Sequence, residues 1–179
     1  MKRRAFLAGS AVTATSLSLF NQVRAETSPS DKITVAAVGV HGRGFSVLEA
    51  FAPRSDVTIK YVCDIDRNVL EKRTHEISEK TGRRPRMISD FRTALDDPAV
   101  DAITLGTPTH WHAIPTIMAC QAGKDVYVEK PDAHNAIEGQ MMVAASRKYK
   151  RVVQLGTQSR SGPYFQQMID YIREGHLGQ

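Results

Sequence analysis

The sequence is poor in the residues that staple or coordinate. Its two cysteines, Cys63 and Cys120, cannot form a disulfide framework. One bridge between them stays open in principle, but each lies in an apolar run and reads as a small core residue. His110 and His112 flank the single tryptophan, Trp111, with no cysteine or carboxylate clustered beside them, so no metal is expected. An excess of charge is also missing. The 24 Lys+Arg against 19 Asp+Glu give +5, but Lys2, Arg3, Arg4 and Arg24 lie in the first 25 residues, which hold no acid. The remainder carries +1, and neither nucleic acid nor a membrane surface is implied as a partner. Repeats and low-complexity tracts are absent beyond the first 25 residues, and the 179 residues suffice for one good core.

Those first 25 residues read as a targeting peptide. Lys2-Arg3-Arg4-Ala5-Phe6-Leu7 is a twin-arginine pattern, an Ala/Ser/Thr-rich apolar stretch runs to Phe20, and Val23-Arg24-Ala25 offers small residues for cleavage. The stretch is too short and too rich in hydroxyls to be a comfortable membrane span. Twin-arginine export carries folded proteins, often around a bound cofactor. A periplasmic or otherwise exported product is expected, with no membrane contact once the signal is removed. Residues 26–32 form a polar linker, and residues 33–179 the folded domain.

From Ile33 onward, strand-like and helix-like runs alternate. Strands are expected at 33–38, 57–63, 86–88, 102–105, 125–128 and 152–155. Helices are expected at 45–51, 67–80, 91–95, 113–122, 136–149 and 164–174, with Gly123 and Gly175 as stops. The helix over 136–149 places Ile137, Met141, Ala144 and Ala145 on one face. Near-continuous apolar strands alternating with helices argue an α/β fold with a doubly wound parallel sheet.

Chemistry-bearing residues gather where such strands end. The first strand runs into Gly39-Val40-His41-Gly42-Arg43-Gly44 and a helix. A dinucleotide fingerprint wants glycine at the first, third and sixth places. Gly39 and Gly44 fit; His41 stands in the middle place, and Gly42 beside it can take over the close approach to a pyrophosphate. Asp64 ends the second strand, 20 residues after Gly44, where an acid would bind ribose hydroxyls and repel a 2′-phosphate. NAD is therefore favoured over NADP. Asp66 reads as a helix N-cap. The fourth strand ends in Gly106-Thr107-Pro108-Thr109-His110-Trp111-His112, a loop that would line the cofactor cleft. After Val126-Tyr127-Val128 comes Glu129-Lys130-Pro131. A lysine held at a strand end can donate to a substrate hydroxyl and exchange a proton with it.

Together, Gly39–Gly44, Asp64, Thr107–His112 and the run from Ala122 to Pro131 resemble the Gfo/Idh/MocA family. This is the glucose–fructose oxidoreductase and inositol dehydrogenase group of NAD(P)-dependent enzymes. The resemblance implies a Rossmann domain followed by a larger α/β domain that completes the substrate site and often mediates oligomerisation. Lys130 would contact the hydroxyl undergoing oxidation. Glu129 and Pro131 would shape the nicotinamide pocket, commonly with a cis bond before the proline. Thr107, Pro108 and His112 match the cofactor-side motif, Thr109 replacing its frequent Asn. Gln158 and Arg160 would approach the substrate. The family's downstream Asp and His, partners of the lysine, are not found; Gly175-His176-Leu177-Gly178-Gln179 resembles the lead-in to the second domain, and the chain is expected to be a fragment. His134, close to the lysine in sequence, belongs to a helix-cap region.

The resemblance implies an exported NAD-dependent oxidoreductase acting on a secondary hydroxyl of a sugar or cyclitol. Two alternatives stay open. One is a glycosidase or lyase using tightly bound NAD for transient oxidation; the other is a non-catalytic cofactor-binding fragment. A homo-oligomer is possible in the full-length protein.

Overall fold

The computed structural model describes residues 32–177. The expected targeting peptide, nearly all of the expected linker and the last two residues lie outside that range. The compact unit begins at Ile33. Six strands form one sheet: β1 (Ile33–Val38), β2 (Val57–Cys63), β3 (Arg86–Ile88), β4 (Ala102–Leu105), β5 (Asp125–Glu129) and β6 (Val153–Gly156). The helices are α1 (Arg43–Phe51), α2 (Arg67–Thr81), α3 (Arg92–Leu95), α4 (Ala113–Gln121), α5 (Ala136–Tyr149) and α6 (Pro163–Arg173). The strand order is β3-β2-β1-β4-β5-β6, every neighbouring pair parallel.

The alternation of side chains along β1 divides the core. Ala36 and Val38 join Ile103, Leu105, Val126 and Val128 on the face covered by α3, α4 and Met142 of α5. Ala37 turns the other way, to Val62 and the α1–α2 residues Phe45, Leu48, Leu70 and Ile77. This double covering explains why the strands read as continuous apolar runs. Local signals set the helix ends. Asp66 caps α2 by accepting from the amides of Asn68 (2.9 Å) and Val69 (3.2 Å), and Gly82, at φ 67°, stops it. Asn135 caps α5 through the Glu138 amide, while the Glu138 carboxylate reaches back to the His134 amide, a variant of the capping box.

One helix face departs from expectation. α5 turns Met142 and Ala145 to the core, whereas Ile137 is 69% and Met141 54% exposed. The helix carries two apolar stripes, and α4 packs on the one that includes Met142. α6 buries none of its residues. Among the described residues, no helix is long and apolar enough to cross a membrane.

Candidate functional site

In this strand order the chain reverses direction of travel between β1 and β4, opening a crevice at their carboxyl ends. Three glycines make the crevice tight. Gly39 follows β1 at φ 74°, and a Cβ there would lie 2.7 Å from the Thr107 amide nitrogen. A Cβ on Gly44 would fall 1.8 Å from the Gly39 carbonyl oxygen, and one on Gly106 2.3 Å from the Gly44 Cα. Main chain therefore packs on main chain, and α1 begins directly over the crevice. Gly42 behaves differently. It holds φ 48° and ψ −114°, a conformation that suits glycine, yet its missing Cβ faces open space. No side chain caps α1, so its start is free of a side-chain oxygen. The exposed His41 occupies the turn's third place and gives its carbonyl to the Gly44 amide (3.1 Å).

Asp64 stands at the exit of β2, and its carboxylate holds this turn. Oδ2 accepts from the Val40 amide (2.9 Å) and Oδ1 from the Asp66 amide (3.0 Å). Each oxygen keeps a further lone pair, and the negative charge remains beside the crevice. Just inside β2, burial and then the charges of Asp64 and Asp90 push the Cys63 thiol up to about 12. Cys63 and Cys120 are both buried and unbridged, inert thiols rather than nucleophiles.

The β4 exit passes through Thr107 and the exposed Pro108 into a 3-10 turn, Thr109–Trp111. Thr107 Oγ1 donates to the Trp111 carbonyl (3.0 Å). His112, at the start of α4, is only 1% exposed. Its ring is spent on main chain, with Nδ1 2.7 Å from the Pro131 carbonyl oxygen and Nε2 2.8 Å from that of Thr107. The ring thus supports the cleft wall.

The last wall is Glu129-Lys130-Pro131, with a cis peptide before the proline. Glu129 is 4% exposed. Its Oε1 accepts from Arg43 Nε of α1 (3.0 Å) and its Oε2 from the Lys130 amide (3.2 Å). Burial, followed by the Glu129 charge, pushes the neighbouring Tyr127 hydroxyl upward. Gly156, opposite Glu129 in β6, leaves the space; a Cβ there would meet Glu129 Oε1 at 2.9 Å. Lys130 between these anchors is exposed.

Residues 33–157 match the model of the oxidoreductase family with an NAD-binding Rossmann fold, GFO_IDH_MocA. The chain belongs to the Gfo/Idh/MocA oxidoreductase family. Solved members share its fold. A 3-ketoreductase from Actinomadura kijaniata, in complex with NADP and TDP-benzene, superposes with a TM-score of 0.71 at 21% identity, over 83% of this chain and 44% of that one. A myo-inositol 2-dehydrogenase from Lactobacillus plantarum gives 0.71 at 22% identity, over 83% and 43%. Among curated relatives, a glycosyl hydrolase family 109 protein of Shewanella baltica is 26% identical over 153 residues, 83% of this chain. The chain spans about a third of the length of that relative.

As a Gfo/Idh/MocA domain, the chain carries a cradle that fits a dinucleotide: an uncapped helix start, a glycine facing open space and an acid at the β2 exit. Gly39, Gly42, Gly44, Asp64, Thr107 and the Glu129–Pro131 wall meet around the crevice. Gln158 and Arg160 lie on an exposed 3-10 turn two residues past Gly156, at the same end of the sheet, with no bond to Lys130. Sequence reading missed Arg43, Gly106 and Gly156. The first bonds a residue 86 positions away, and the glycines matter only through what packs against them. Among the described residues no three of His, Cys, Asp or Glu gather as metal ligands.

Proposed function

We propose that this chain is the dinucleotide-binding part of an NAD-dependent oxidoreductase, exported in folded form, that oxidises a secondary hydroxyl of a sugar or cyclitol. One observation carries the reading. The Lys130 side chain is exposed and has no bond of its own among the described residues, while Glu129 is buried and tied to the Gly-rich turn and the Pro131 carbonyl is held by His112 at the β4 exit. When bound, the dinucleotide supplies the hydride acceptor. Lys130 takes or gives the hydroxyl proton, Glu129 and His112 hold its segment, and Gly42 with the α1 amides receives the pyrophosphate. The names of the structural neighbours, a ketoreductase and an inositol dehydrogenase, favour a polyol or sugar. Export rests on the Lys2–Ala25 pattern, and recovery of the protein only from the cytoplasm would remove it.

The family 109 glycosyl hydrolases among the relatives favour a second reading, in which tightly bound NAD serves a transient oxidation within hydrolysis or elimination. A panel of sugars, glycosides and cyclitols offered to the full-length protein separates the two. Net reduction of nicotinamide marks the dehydrogenase; glycoside cleavage without it marks the hydrolase; binding without either marks a non-catalytic domain. In the dehydrogenase, Lys130→Ala lowers turnover by ~100-fold or more with the dinucleotide Kd held within about threefold. Loss of dinucleotide binding in that variant would show the lysine to be misplaced.

A further inference from the structure

His112 makes contacts that an ordinary buried histidine does not need. Both of its ring nitrogens lie within hydrogen-bond distance of main-chain carbonyl oxygens, which can only accept. A neutral imidazole has one N–H, so its second nitrogen would direct a lone pair at a carbonyl oxygen less than 3 Å away. A ring with a hydrogen on each nitrogen donates to both. The segment at and beyond the end of β5 carries Glu129, Lys130 and Asp132, and β4 and α4 carry no charge; α1, packed on β4, adds Arg43 and Glu49, and α5, packed on α4, adds Glu138, Arg147 and Lys148. His110, titratable, lies on the intervening 3-10 turn.

The two carbonyls belong to different strand exits. Thr107 follows β4 and Pro131 follows β5, with Lys130 immediately before the latter. His112 is itself anchored, because its carbonyl accepts from Thr116 Oγ1 (2.7 Å) and from the Thr116 amide (3.2 Å). The ring is therefore a cross-brace between the cofactor-side loop and the segment carrying the reactive amine. We propose that His112 is a positioning residue which donates from both ring nitrogens and thereby fixes Lys130 relative to the Thr107 loop. This inference rests on the reading of Lys130 as the proton-exchanging group.

Two experiments on the full-length protein test it. In 15N-labelled protein near neutral pH, one imidazole should show two slowly exchanging N–H groups, and His112→Gln should remove both signals. A single N–H on the His112 ring overturns the double donor, and this arm needs no turnover. The second arm is kinetic. Glutamine carries both of its donor hydrogens on one nitrogen and cannot span the two carbonyls as two separate ring nitrogens do, so H112Q should lower kcat by roughly 10- to 100-fold, with the dinucleotide Kd within about threefold. Unchanged kcat, or equal losses in kcat and in dinucleotide affinity, would contradict positioning. If H112Q fails to fold, the ring spectrum of the unmodified protein decides alone. A fully active Lys130→Ala protein would instead defeat the reading of the lysine, leaving the two-donor ring to its own spectrum.

Discussion

At the scale of single residues, the site is defined by side chains that are missing as much as by those present. The crevice closes because Gly39, Gly44 and Gly106 let backbone touch backbone. Gly44→Ala puts a carbon 1.8 Å from the Gly39 carbonyl, which the turn cannot absorb by a rotamer change. The expected cost is ~3 kcal/mol, read as a fall in melting temperature of about 10 °C, together with loss of dinucleotide binding. Gly42→Ala is the informative contrast. It meets no atom, so its penalty is confined to the φ of 48° and should stay near ~1 kcal/mol. Residue reading from sequence went furthest where a motif is contiguous, as in Glu129-Lys130-Pro131. It stopped where the partner is distant. Nothing near Arg43 announces that it will neutralise Glu129, and nothing near His112 announces that both its nitrogens will be occupied by main chain.

Among the elements, strands were legible because burial on both faces leaves no polar alternation to confuse them. Helices were legible where caps punctuate them, as at Asp66 and Asn135. The buried face of α5 was not, since Ile137 and Met141 make as good a stripe as Met142 and Ala145, and only the position of α4 chooses between them. The connection between α3 and β4 carries a second polar device, remote from the motifs. The Asp97 carboxylate accepts from Lys60 of β2 at 2.6 Å, from the Tyr61 hydroxyl at 2.7 Å and from the Ala99 amide at 2.9 Å. These bonds, that from Lys60 foremost, hold the Asp97 carboxyl well below the usual carboxylate range. A lowered folded-state value means the stabilisation is complete above the unfolded carboxylate range, near pH 4, and is lost as the pH falls below it. Thermal melts from about pH 6 to about pH 2 should therefore fall more steeply for the wild type than for Asp97→Asn. Parallel curves would remove Asp97 from the acid response.

For the molecule as a whole, the order β3-β2-β1-β4-β5-β6 brings the crevice into being, uniting residues from Gly39 to Pro131 that no local signal connects. The sheet order also places the Asp64 charge at the exit of β2, on the α1 side of the crevice. Two like charges ~4 Å apart in water repel by about 1 kcal/mol, and more where solvent is excluded. NAD should accordingly bind at least about fivefold more tightly than NADP, a difference that Asp64→Asn narrows. Equal affinities for the two dinucleotides would show the Asp64 charge to be fully used in holding the turn.

Dinucleotide binding in the crevice between the Gly39–Gly44 turn and the Thr107–Pro131 wall is open to direct measurement. Trp111, the sole tryptophan, is 47% exposed on that wall and serves as a built-in reporter. Titration with NADH should quench its emission saturably, through energy transfer to the reduced nicotinamide, and Gly44→Ala should abolish the effect. Saturable quenching that survives unchanged in folded Gly44→Ala protein, or no quenching by NADH at all, would contradict the account.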